Sequence, residues 1–320
     1  MKVSIVTPNY NGEKFLKNYF NSLNEDCEYI GEVIIIDNGS SDDNSLDYIK
    51  SNSFNFPIKL IENKENLGFA PAVNQGISEA QYEYIFSLNN DTEVKKGCIE
   101  ELIKIISSNE NIFSVQAKML QYNNKNLIDD AGDEYNLLAW SKKIGENQKS
   151  SNFNEVSQIF SSCAGAAMYK KSLLDEIGYF DSNFFAYTED IDLSLRAHIN
   201  GYKNFSCPYA IVYHIGSATS GSRYNEFKVK LSARNNIWVV YKNFPIPQKI
   251  LNFIFLFLGF FIKYLFFLKK GFGPTYLEGI KEGLKTRNKI DKVKFNSKNT
   301  KNYFKLEYRL IINTLKFLKK

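Results

Sequence analysis

Two acidic segments of the sequence carry residue types suited to metal binding and to general-base catalysis. The first is Asn89-Asn90-Asp91-Thr92, which follows the short apolar run Tyr84-Ile85-Phe86. Carboxylate and amide oxygens suit Mg²⁺ or Mn²⁺, which proteins usually hold with one or two carboxylates plus substrate phosphates. An ordinary turn formed by Asn and Asp explains these residues equally well when they are taken alone.

The second acidic segment is Glu189-Asp190-Ile191-Asp192, at the start of a predicted helix. Acidic residues stabilise a helix N-terminus, so a capped first turn is the simplest interpretation. Three carboxylates in four positions exceed what capping requires, however. Carboxylates this close raise one another's pKa, which suits a general base.

The chain contains two histidines, His198 and His214. His214 ends the predicted strand 211–214 and precedes the Gly/Ser-rich segment 216–221. This position favours contact with a metal or a phosphate. His198 lies within the predicted helix that follows the acidic segment, and we expect it to be structural.

Alternating strands and helices must position these groups. Apolar runs at 3–7, 33–36, 58–61 and 84–88 predict strands, and patterns with three- and four-residue spacing between them predict helices. Such alternation predicts a parallel sheet with right-handed crossovers. The polar loops at the carboxyl ends of the strands (8–11, 37–38, 66–68 and 89–91) would then meet in one crevice.

Two common phosphate-binding motifs are absent from the sequence. The first strand is followed by Pro8-Asn9-Tyr10-Asn11-Gly12, which is neither G-x-G-x-x-G nor a Walker A loop. The Gly-rich, Arg-containing turn expected of a sugar nucleotidyltransferase is also missing. We therefore expect the crevice to bind its ligand through base and sugar contacts and a metal. The small residues of 162–168 would allow a ligand or a neighbouring strand to approach closely.

Composition indicates a globular protein of 320 residues whose charge is unevenly distributed. Residues 1–240 contain 22 Lys and Arg against 31 Asp and Glu, whereas residues 241–320 contain 18 against 4. The four cysteines show no C-x-x-C spacing, and the first residues do not resemble a secretory signal. These features predict a cytoplasmic catalytic part with a basic tail that binds an anionic partner.

The tail contains a nearly uninterrupted apolar run at residues 250–268, with Lys263 inside it. A helix of this length reaches ~28 Å, near the thickness of a bilayer core. The 15 basic residues against 4 acidic ones in 269–320 resist translocation. We therefore expect the run to lie in the membrane interface or to re-enter the membrane at the inner face, with Lys263 reaching outward. The basic, amphipathic segment 303–320 would add attraction to anionic lipid. Burial of the run in a homodimer or against the core remains an alternative.

Six motifs occur in a fixed order: Thr7-Pro8-Asn9-Tyr10-Asn11, Ile36-Asp37-Asn38-Gly39-Ser40-Ser41-Asp42, Asn66-Leu67-Gly68-Phe69, Leu88-Asn89-Asn90-Asp91-Thr92, Tyr187-Thr188-Glu189-Asp190-Ile191-Asp192 and Tyr213-His214. This series resembles the inverting glycosyltransferases of family 2, and especially their rhamnosyltransferase-like branch. The resemblance covers roughly residues 1–240. It implies the GT-A fold, an α/β architecture with a mostly parallel sheet flanked by helices. Residues 1–240 would form the catalytic domain, and residues 241–320 would form a helical, basic, membrane-associating extension.

The resemblance also implies a role for particular residues. Asp190 stands at the catalytic base with Glu189 beside it, and Asp91 and His214 stand at the metal. Asn89 replaces the first aspartate of the family's D-x-D motif, which leaves one charge fewer for the ion. The nucleotide-sugar site would comprise Pro8, Asn9, Tyr10, Asp37, Asn38, Asn66, Gly68, Asn74, Asn89 and Asn90.

The activity implied is transfer of a sugar, with inversion, from a nucleoside-diphosphate donor to a hydroxyl of a lipid-linked or oligosaccharide acceptor. Candidate donors are dTDP-rhamnose and UDP-sugars, and the cofactor would be Mn²⁺ or Mg²⁺. The alternative is a nucleotide-sugar-binding or scaffold protein of the same fold that has lost catalysis. We do not expect a nucleic-acid partner, because no basic face with interleaved aromatics or known binding module occurs.

Overall fold

The computed structural model describes residues 1–216 and 224–319. Its centre is a mixed ten-stranded sheet with the order β10-β12-β6-β11-β4-β1-β2-β3, to which β5 and β7 add at β12 and β6. The two remaining strands, β8 and β9, form a separate hairpin-like pair. The strands are β1 (Val3–Asn9), β2 (Ile30–Asn38), β3 (Ile58–Asn63), β4 (Tyr84–Leu88), β5 (Thr92–Val94), β6 (Ile112–Gln121), β7 (Asn124–Asp130), β8 (Asp133–Tyr135), β9 (Ser141–Lys143), β10 (Ser157–Ile159), β11 (Ala166–Lys170) and β12 (Lys203–His214).

The first four strands are parallel, as the alternating pattern predicts. β1 pairs with both β2 and β4, and β2 pairs with β3, all in parallel register. Every residue of β2 is buried, because helices cover both faces of this part of the sheet. The carboxyl ends of β1, β2 and β4 therefore lie along one edge.

The other half of the sheet departs from the predicted parallel pattern. β11 inserts antiparallel between β4 and β6, and β12 runs parallel to β6 but antiparallel to β5 and β10. Several of these strands span only three residues, so their sequences have too few positions to show a period of two. The polar segment 121–158, which carries no clear pattern, contains β7 to β9 and the start of β10.

Eleven helices are described in residues 1–216 and 224–319. They are α1 (Glu13–Asn24), α2 (Ser45–Ser51), α3 (Phe69–Glu79), α4 (Cys98–Ile106), α5 (Lys171–Ile177), α6 (Glu189–Ile199), α7 (Glu226–Asn243), α8 (Ile246–Leu251), α9 (Phe253–Lys269), α10 (Gly273–Thr286) and α11 (Thr300–Leu318). α6 begins at Glu189, as the acidic segment predicts.

The C-terminal helices share a hydrophobic core with the sheet domain. Tyr135 of β8, Leu195 of α6, Trp238 of α7 and Leu310 of α11 belong to one buried cluster. The predicted boundary at residue 240 falls near the end of α7, and the division into two domains stays a prediction. The Gly/Ser-rich segment 216–221 lies largely outside the described residues.

The apolar run of the tail forms α8 and α9, which are separated at Asn252. None of the helices in the described ranges combines the length and the apolarity needed to cross a membrane. Lys263 does not reach outward as expected, because it lies in the wall of a cleft with its Nζ 5.9 Å from the centroid of the Trp140 ring. The cause is the helical phase: Leu256, Gly259 and Lys263 share the face of α9 that packs inward.

Candidate active site

A cleft of about 1490 Å³ opens at the carboxyl ends of β1, β2 and β4 and at the N-terminus of α6. It brings together residues from all six sequence motifs. The predicted site residues that line it are Pro8, Asn9, Tyr10, Asn38, Asn66, Gly68, Asn89, Asn90, Asp91, Glu189, Asp190 and His214. Asp37 and Asn74 do not line it.

Asn9 connects the ends of three strands at the floor of the cleft. Its Nδ2 donates to Asp37 Oδ1 at 2.8 Å, and its Oδ1 accepts from Asn90 Nδ2 at 2.7 Å. Asp37 is 1% exposed and also accepts hydrogen bonds from the backbone N–H and the hydroxyl of Ser40. Asp37 therefore holds Asn9 and the loop after β2 in place, and it reaches a ligand only through them.

Asn38 plays the equivalent part for the loop that precedes α3. Its Nδ2 donates to Asn66 Oδ1 at 3.0 Å and to the Gly68 carbonyl at 3.1 Å. Gly68 has a φ of +96°, and a Cβ there would come within 2.6 Å of the Phe185 carbonyl oxygen. Asn74 faces away from the cleft and exchanges hydrogen bonds with the backbone of Phe180, at 2.7 and 3.1 Å.

The segment before α6 has a strained backbone. Phe185, Tyr187 and Thr188 have φ values of 62°, 70° and 68°, a region that side chains rarely occupy. Asn235 of α7 holds the segment, because its Nδ2 lies 3.1, 2.8 and 2.7 Å from the carbonyl oxygens of residues 184, 186 and 187. Strain of this kind persists only where the surroundings enforce it. Asn235 thereby fixes the position of the first turn of α6.

The three carboxylates of that turn have different roles. Asp192 is 0% exposed and bonds to Arg196, Lys242 and Asn243, so it is structural. Glu189 and Asp190 line the cleft. The sequence pattern alone does not distinguish Asp192 from the other two.

Burial raises the pKa of both carboxyl groups that face the cleft. Burial and the neighbouring Asp190 charge raise the pKa of Glu189 to about 8. Burial also raises the pKa of Asp190 to about 6, against the hydrogen bond of 2.8 Å that its Oδ1 accepts from the Ile191 N–H. The Ile191 N–H favours the ionised form of Asp190, whereas the Asp190 charge opposes ionisation of Glu189, so we assign the first ionisation of the pair to Asp190.

His214 lies between two carboxylates. Its Nδ1 is 2.8 Å from Asp129 Oδ2, and its Nε2 is 3.5 Å from Asp91 Oδ2. Burial alone would lower the pKa of His214, but the hydrogen bonds to Asp129 and Asp91 raise it to about 9. His198, by contrast, lies 2.8 Å through Nε2 from the Phe160 carbonyl, and burial lowers its pKa to about 3, as expected of a structural histidine.

The residues around His214 fit a divalent ion held by two protein ligands, and an ion at Nε2 would replace the proton that the raised pKa keeps on the metal-free ring. No cluster of three or more His, Cys, Asp or Glu side chains in the described ranges could hold a metal by itself. Asp91 Oδ2 and His214 Nε2 nevertheless lie 3.5 Å apart, and Asp129 Oδ2 is hydrogen-bonded to the other ring nitrogen, Nδ1. A carboxylate on the second nitrogen is the usual support of a metal-ligating histidine, and substrate phosphates commonly complete such a site.

Comparison with known proteins decides the family. The model of the family "Glycosyl transferase family 2" matches residues 4–178, more than half of the chain. The chain belongs to glycosyl transferase family 2.

A curated relative of this family 2 chain is the poly-beta-1,6-N-acetyl-D-glucosamine synthase of Staphylococcus aureus (strain COL). It is 27% identical over 199 residues, which are 61% of this chain and 45% of the relative. The chain thus matches less than half the length of that protein.

Two solved structures share the fold. The crystal structure of GalNAc-T7 with UDP, GalNAc and Mn²⁺ has a TM-score of 0.61 at 18% identity, covering 75% of this chain and 47% of that one. The structure of S. aureus TarS 1-349 in complex with UDP-GlcNAc has a TM-score of 0.54 at 18% identity, covering 80% and 70%. These neighbours are GT-A glycosyltransferases, so the predicted GT-A fold is confirmed. The rhamnosyltransferase-like branch stays a prediction.

Several cleft residues of this family 2 chain escaped the sequence analysis. Asp129 and Asp130 lie in the patternless segment 121–158, and Lys143 pairs with them at 3.3 and 3.7 Å. The signal available in the sequence was weak, because adjacent acids shortly before Gly132 indicate a turn but not its function. Asn235 gave no signal, since it occupies an ordinary position within a helix.

Proposed function

We propose that the chain is an inverting glycosyltransferase that moves a sugar from a nucleoside-diphosphate donor to an acceptor hydroxyl. One observation carries the proposal: the Asp91–His214 pair and the Glu189–Asp190 pair line the same cleft. A candidate phosphate-binding group and a candidate base therefore have access to the same cleft. The motif residues of β1, β2 and β4 form the floor of that space.

Asp190 is the proposed general base. Its ionised carboxylate takes the proton of the acceptor hydroxyl while that oxygen attacks the anomeric carbon. The bond from this carbon to the donor diphosphate breaks on the opposite side, so the configuration inverts and the nucleoside diphosphate departs with the electron pair. A positioned base supplies ~10²–10⁴-fold in rate. The Ile191 N–H orients one carboxylate oxygen of Asp190 and leaves the other for the proton.

Asp91 and His214 are the proposed protein ligands of Mn²⁺ or Mg²⁺. When bound, such an ion neutralises charge that develops on the leaving diphosphate. Asp129 orients the His214 ring by its bond to Nδ1. Asn89, which stands where a second acid would be expected, adds no charge, so we propose that the donor phosphates supply the remaining ligands.

UDP-N-acetylhexosamines are the first candidates for the donor. The relative from S. aureus is named for an N-acetyl-D-glucosamine polymer, and TarS was solved with UDP-GlcNAc. Transfer of rhamnose from dTDP-rhamnose is the second candidate, from the motif resemblance. Asn38, Asn66 and Gly68 form the polar, close-fitting part of the wall where we place the base and sugar.

The proposed acceptor is lipid-linked or an oligosaccharide, and the proposed location is the inner face of the cell membrane. The exposed apolar side chains of α8 and α9 support this location, since Ile250, Ile254 and Phe257 are 72, 68 and 59% exposed. Apolar patches of this kind mark interaction surfaces. The basic residues beside them, Lys269 and Lys270, would favour anionic lipid.

A panel of nucleotide sugars tests the function directly. Thermal unfolding would be followed with UDP-GlcNAc, UDP-GalNAc, GDP-mannose and dTDP-rhamnose, each with Mn²⁺ and with EDTA, because a bound ligand raises the midpoint. The donor that stabilises the protein would then be incubated with it, with water receiving the sugar in place of the acceptor, and the release of nucleoside diphosphate would be measured for wild type and D190N. We expect stabilisation that requires Mn²⁺ and release that requires Asp190. Stabilisation with no release in wild type would indicate a binding or scaffold protein instead.

A further inference from the structure

The inner face of α9 places one charged side chain in the wall of the cleft. Lys263 is the single charged residue between Phe253 and Leu268, and it lines the cleft together with Phe267. One turn earlier, the backbone of Gly259 lies against Leu138, where a Cβ would come within 2.1 Å of the carbonyl oxygen. This close packing fixes the rotation of α9 and keeps Lys263 directed toward the cleft.

Lys263 and Lys142 flank two aromatic rings in that wall. Lys263 Nζ lies 5.9 Å from the Trp140 ring centroid, and Lys142 Nζ lies 5.4 Å from the Phe317 ring centroid. The two rings meet edge to face at 5.3 Å, and Trp140 Nε1 donates to the Gly259 carbonyl at 3.0 Å. The ring contact and the Trp140–Gly259 hydrogen bond therefore fix a platform in this wall, and each ammonium group lies near one of its rings.

Neither lysine has an anionic partner within residues 1–216 and 224–319. Lys143, which also lines the cleft, differs because it pairs with Asp129 and Asp130. Burial lowers the pKa of Lys263 to about 8, which leaves it mainly charged at neutral pH. A cation in a poorly hydrated site is costly unless an anion pairs with it. The wall around Lys263 is therefore suited to bind an anion.

The opposite face of α9 is apolar and exposed. Phe257, Phe261 and Leu265 are 59, 46 and 46% exposed, and Leu268 at the end of the helix is 51% exposed. Ile262 and Phe266, which are 44 and 42% exposed, extend this apolar surface to the side of α9 that adjoins Lys263. The helix therefore matches a ligand in which an anion is joined to a long apolar chain. The cleft has room for such a ligand beside the donor, because its volume exceeds the ~300–1,000 Å³ of a typical small-molecule site.

We propose that Lys263 binds the phosphate of a lipid-linked acceptor whose hydrocarbon chain lies along the exposed apolar surface of α9, with Lys142 adding positive charge to the same wall of the cleft. The inference rests on the proposed function for the existence of an acceptor, and it names the acceptor's chemical class and its site. Binding of the phosphate at this wall would deliver the attached sugar into the cleft that Asp190 lines. The Trp140–Phe317 platform would exclude water around the phosphate.

The experiment uses the full chain and decyl phosphate as the probe, below its micelle concentration and in EDTA. Calorimetric titration would compare wild type with K263Q, K263R and K269Q. Lys269 is a matched control, because it is a lysine of the same helix that does not line the cleft. Decyl maltoside supplies the same chain without the anion, and inorganic phosphate supplies the anion without the chain. UDP-GlcNAc would be titrated, with Mn²⁺, into the same variants.

We expect the affinity for decyl phosphate to fall about tenfold or more in K263Q, because this variant loses one charge-assisted hydrogen bond. The affinity should be unchanged in K263R and K269Q. Decyl maltoside and inorganic phosphate should each bind far more weakly. An equal loss in K269Q would overturn the site in favour of general charge attraction. If inorganic phosphate binds as tightly as decyl phosphate, the hydrocarbon chain is not recognised and the ligand is not a lipid. If sedimentation shows a dimer that does not bind decyl phosphate, the exposed face of α9 contacts a second copy of the chain.

The two proposals fail in different ways. If no nucleotide sugar binds or is turned over, but the affinity for decyl phosphate still depends on Lys263, glycosyl transfer is rejected. The lipid-phosphate site would then stand without it. If the protein binds and turns over the donor but its affinity for decyl phosphate does not depend on Lys263, only this site is rejected.

Discussion

The Nδ1 atom of His214 lies 2.8 Å from Oδ2 of Asp129, a residue that precedes it by 85 positions. The contact joins the end of β12 to the end of β7 across the strand β6, with which both pair. It leaves Nε2 as the ring nitrogen that faces Asp91. The direction of the His214 ring thus depends on a carboxylate outside the motifs.

Replacing Asp129 by asparagine should weaken the metal site without removing a ligand. The amide keeps the shape but loses the charge that supports the ring, and such changes cost ~10–100-fold in metal affinity. Binding of Mn²⁺ in the presence of UDP, followed by electron paramagnetic resonance, measures the effect. D47N, a change of the same kind in α2 away from the cleft, is the control. Equal Mn²⁺ affinity in D129N and wild type would show that Asp129 does not orient a ligand.

The neighbouring acids Glu189 and Asp190 should respond oppositely to amide substitution. D190N removes the proposed base and should lower the rate of transfer by ~10²–10⁴-fold, with the donor dissociation constant unchanged. Glu189 is protonated at neutral pH because burial raises its pKa to about 8, so E189Q resembles the native form and should keep most of the rate. Single-turnover rates and donor titrations separate the two effects. A larger loss in E189Q than in D190N would exchange their roles.

The pH dependence of kcat/KM should show an acid limb near pH 6. Burial raises the pKa of Asp190 to about 6, and the protonated carboxyl cannot accept the acceptor's proton. The rate should therefore be constant above this pH and should fall about tenfold per pH unit below it. Initial rates between pH 4.5 and 8 measure the profile. A rate that stays level down to pH 4.5 would contradict an Asp190 base with this pKa.

Removal of the Asn235 side chain should release the strained segment before α6. N235A leaves the carbonyl oxygens of residues 186 and 187 without this donor, and each buried unsatisfied group costs ~1–3 kcal/mol. The Phe184 carbonyl keeps the Ala186 N–H and Arg234 as donors. We expect a lower free energy of unfolding together with a lower kcat. N236A is the matched control, because the neighbouring Asn236 donates only to Ser232 of its own helix. Denaturant titration and kinetics would be run on both, and similar effects in the two variants would dismiss the positioning role of Asn235.

The exposed face of α9 should carry the attraction to membranes. F257S and F261S each remove a ring that would enter the interface, and each should weaken binding by the ~1.5–3 kcal/mol that burial of such a side chain is worth. Flotation with vesicles of phosphatidylcholine and phosphatidylglycerol measures the bound fraction. F295S is the control, because Phe295 is 57% exposed but lies outside α8 and α9. Undiminished flotation of F257S and F261S would place the membrane contact elsewhere.

The sequence by itself determined the parallel half of the sheet, because this half depends on local patterns. Ile34 to Ile36 read as a strand covered on both faces, and Glu189 marks the start of a helix through its preference for a positive dipole end. The rule that ligands bind at the carboxyl ends of parallel strands also predicts that the loops with Asn9, Asn38 and Asp91 meet in one cleft. Asp190, which lies in α6, was expected there only from the family resemblance.

Only the tertiary structure decided which of the similar residues face the cleft and which support them. Asp192 looks like Asp190 in the sequence, but Lys242 and Asn243 from α7 make it structural. The partner of His214 and the inward direction of Lys263 likewise depend on elements far away in the chain. Such contacts follow from how the helices and strands pack together, and the periodicity of a single element records which face is buried but not which residue meets it there.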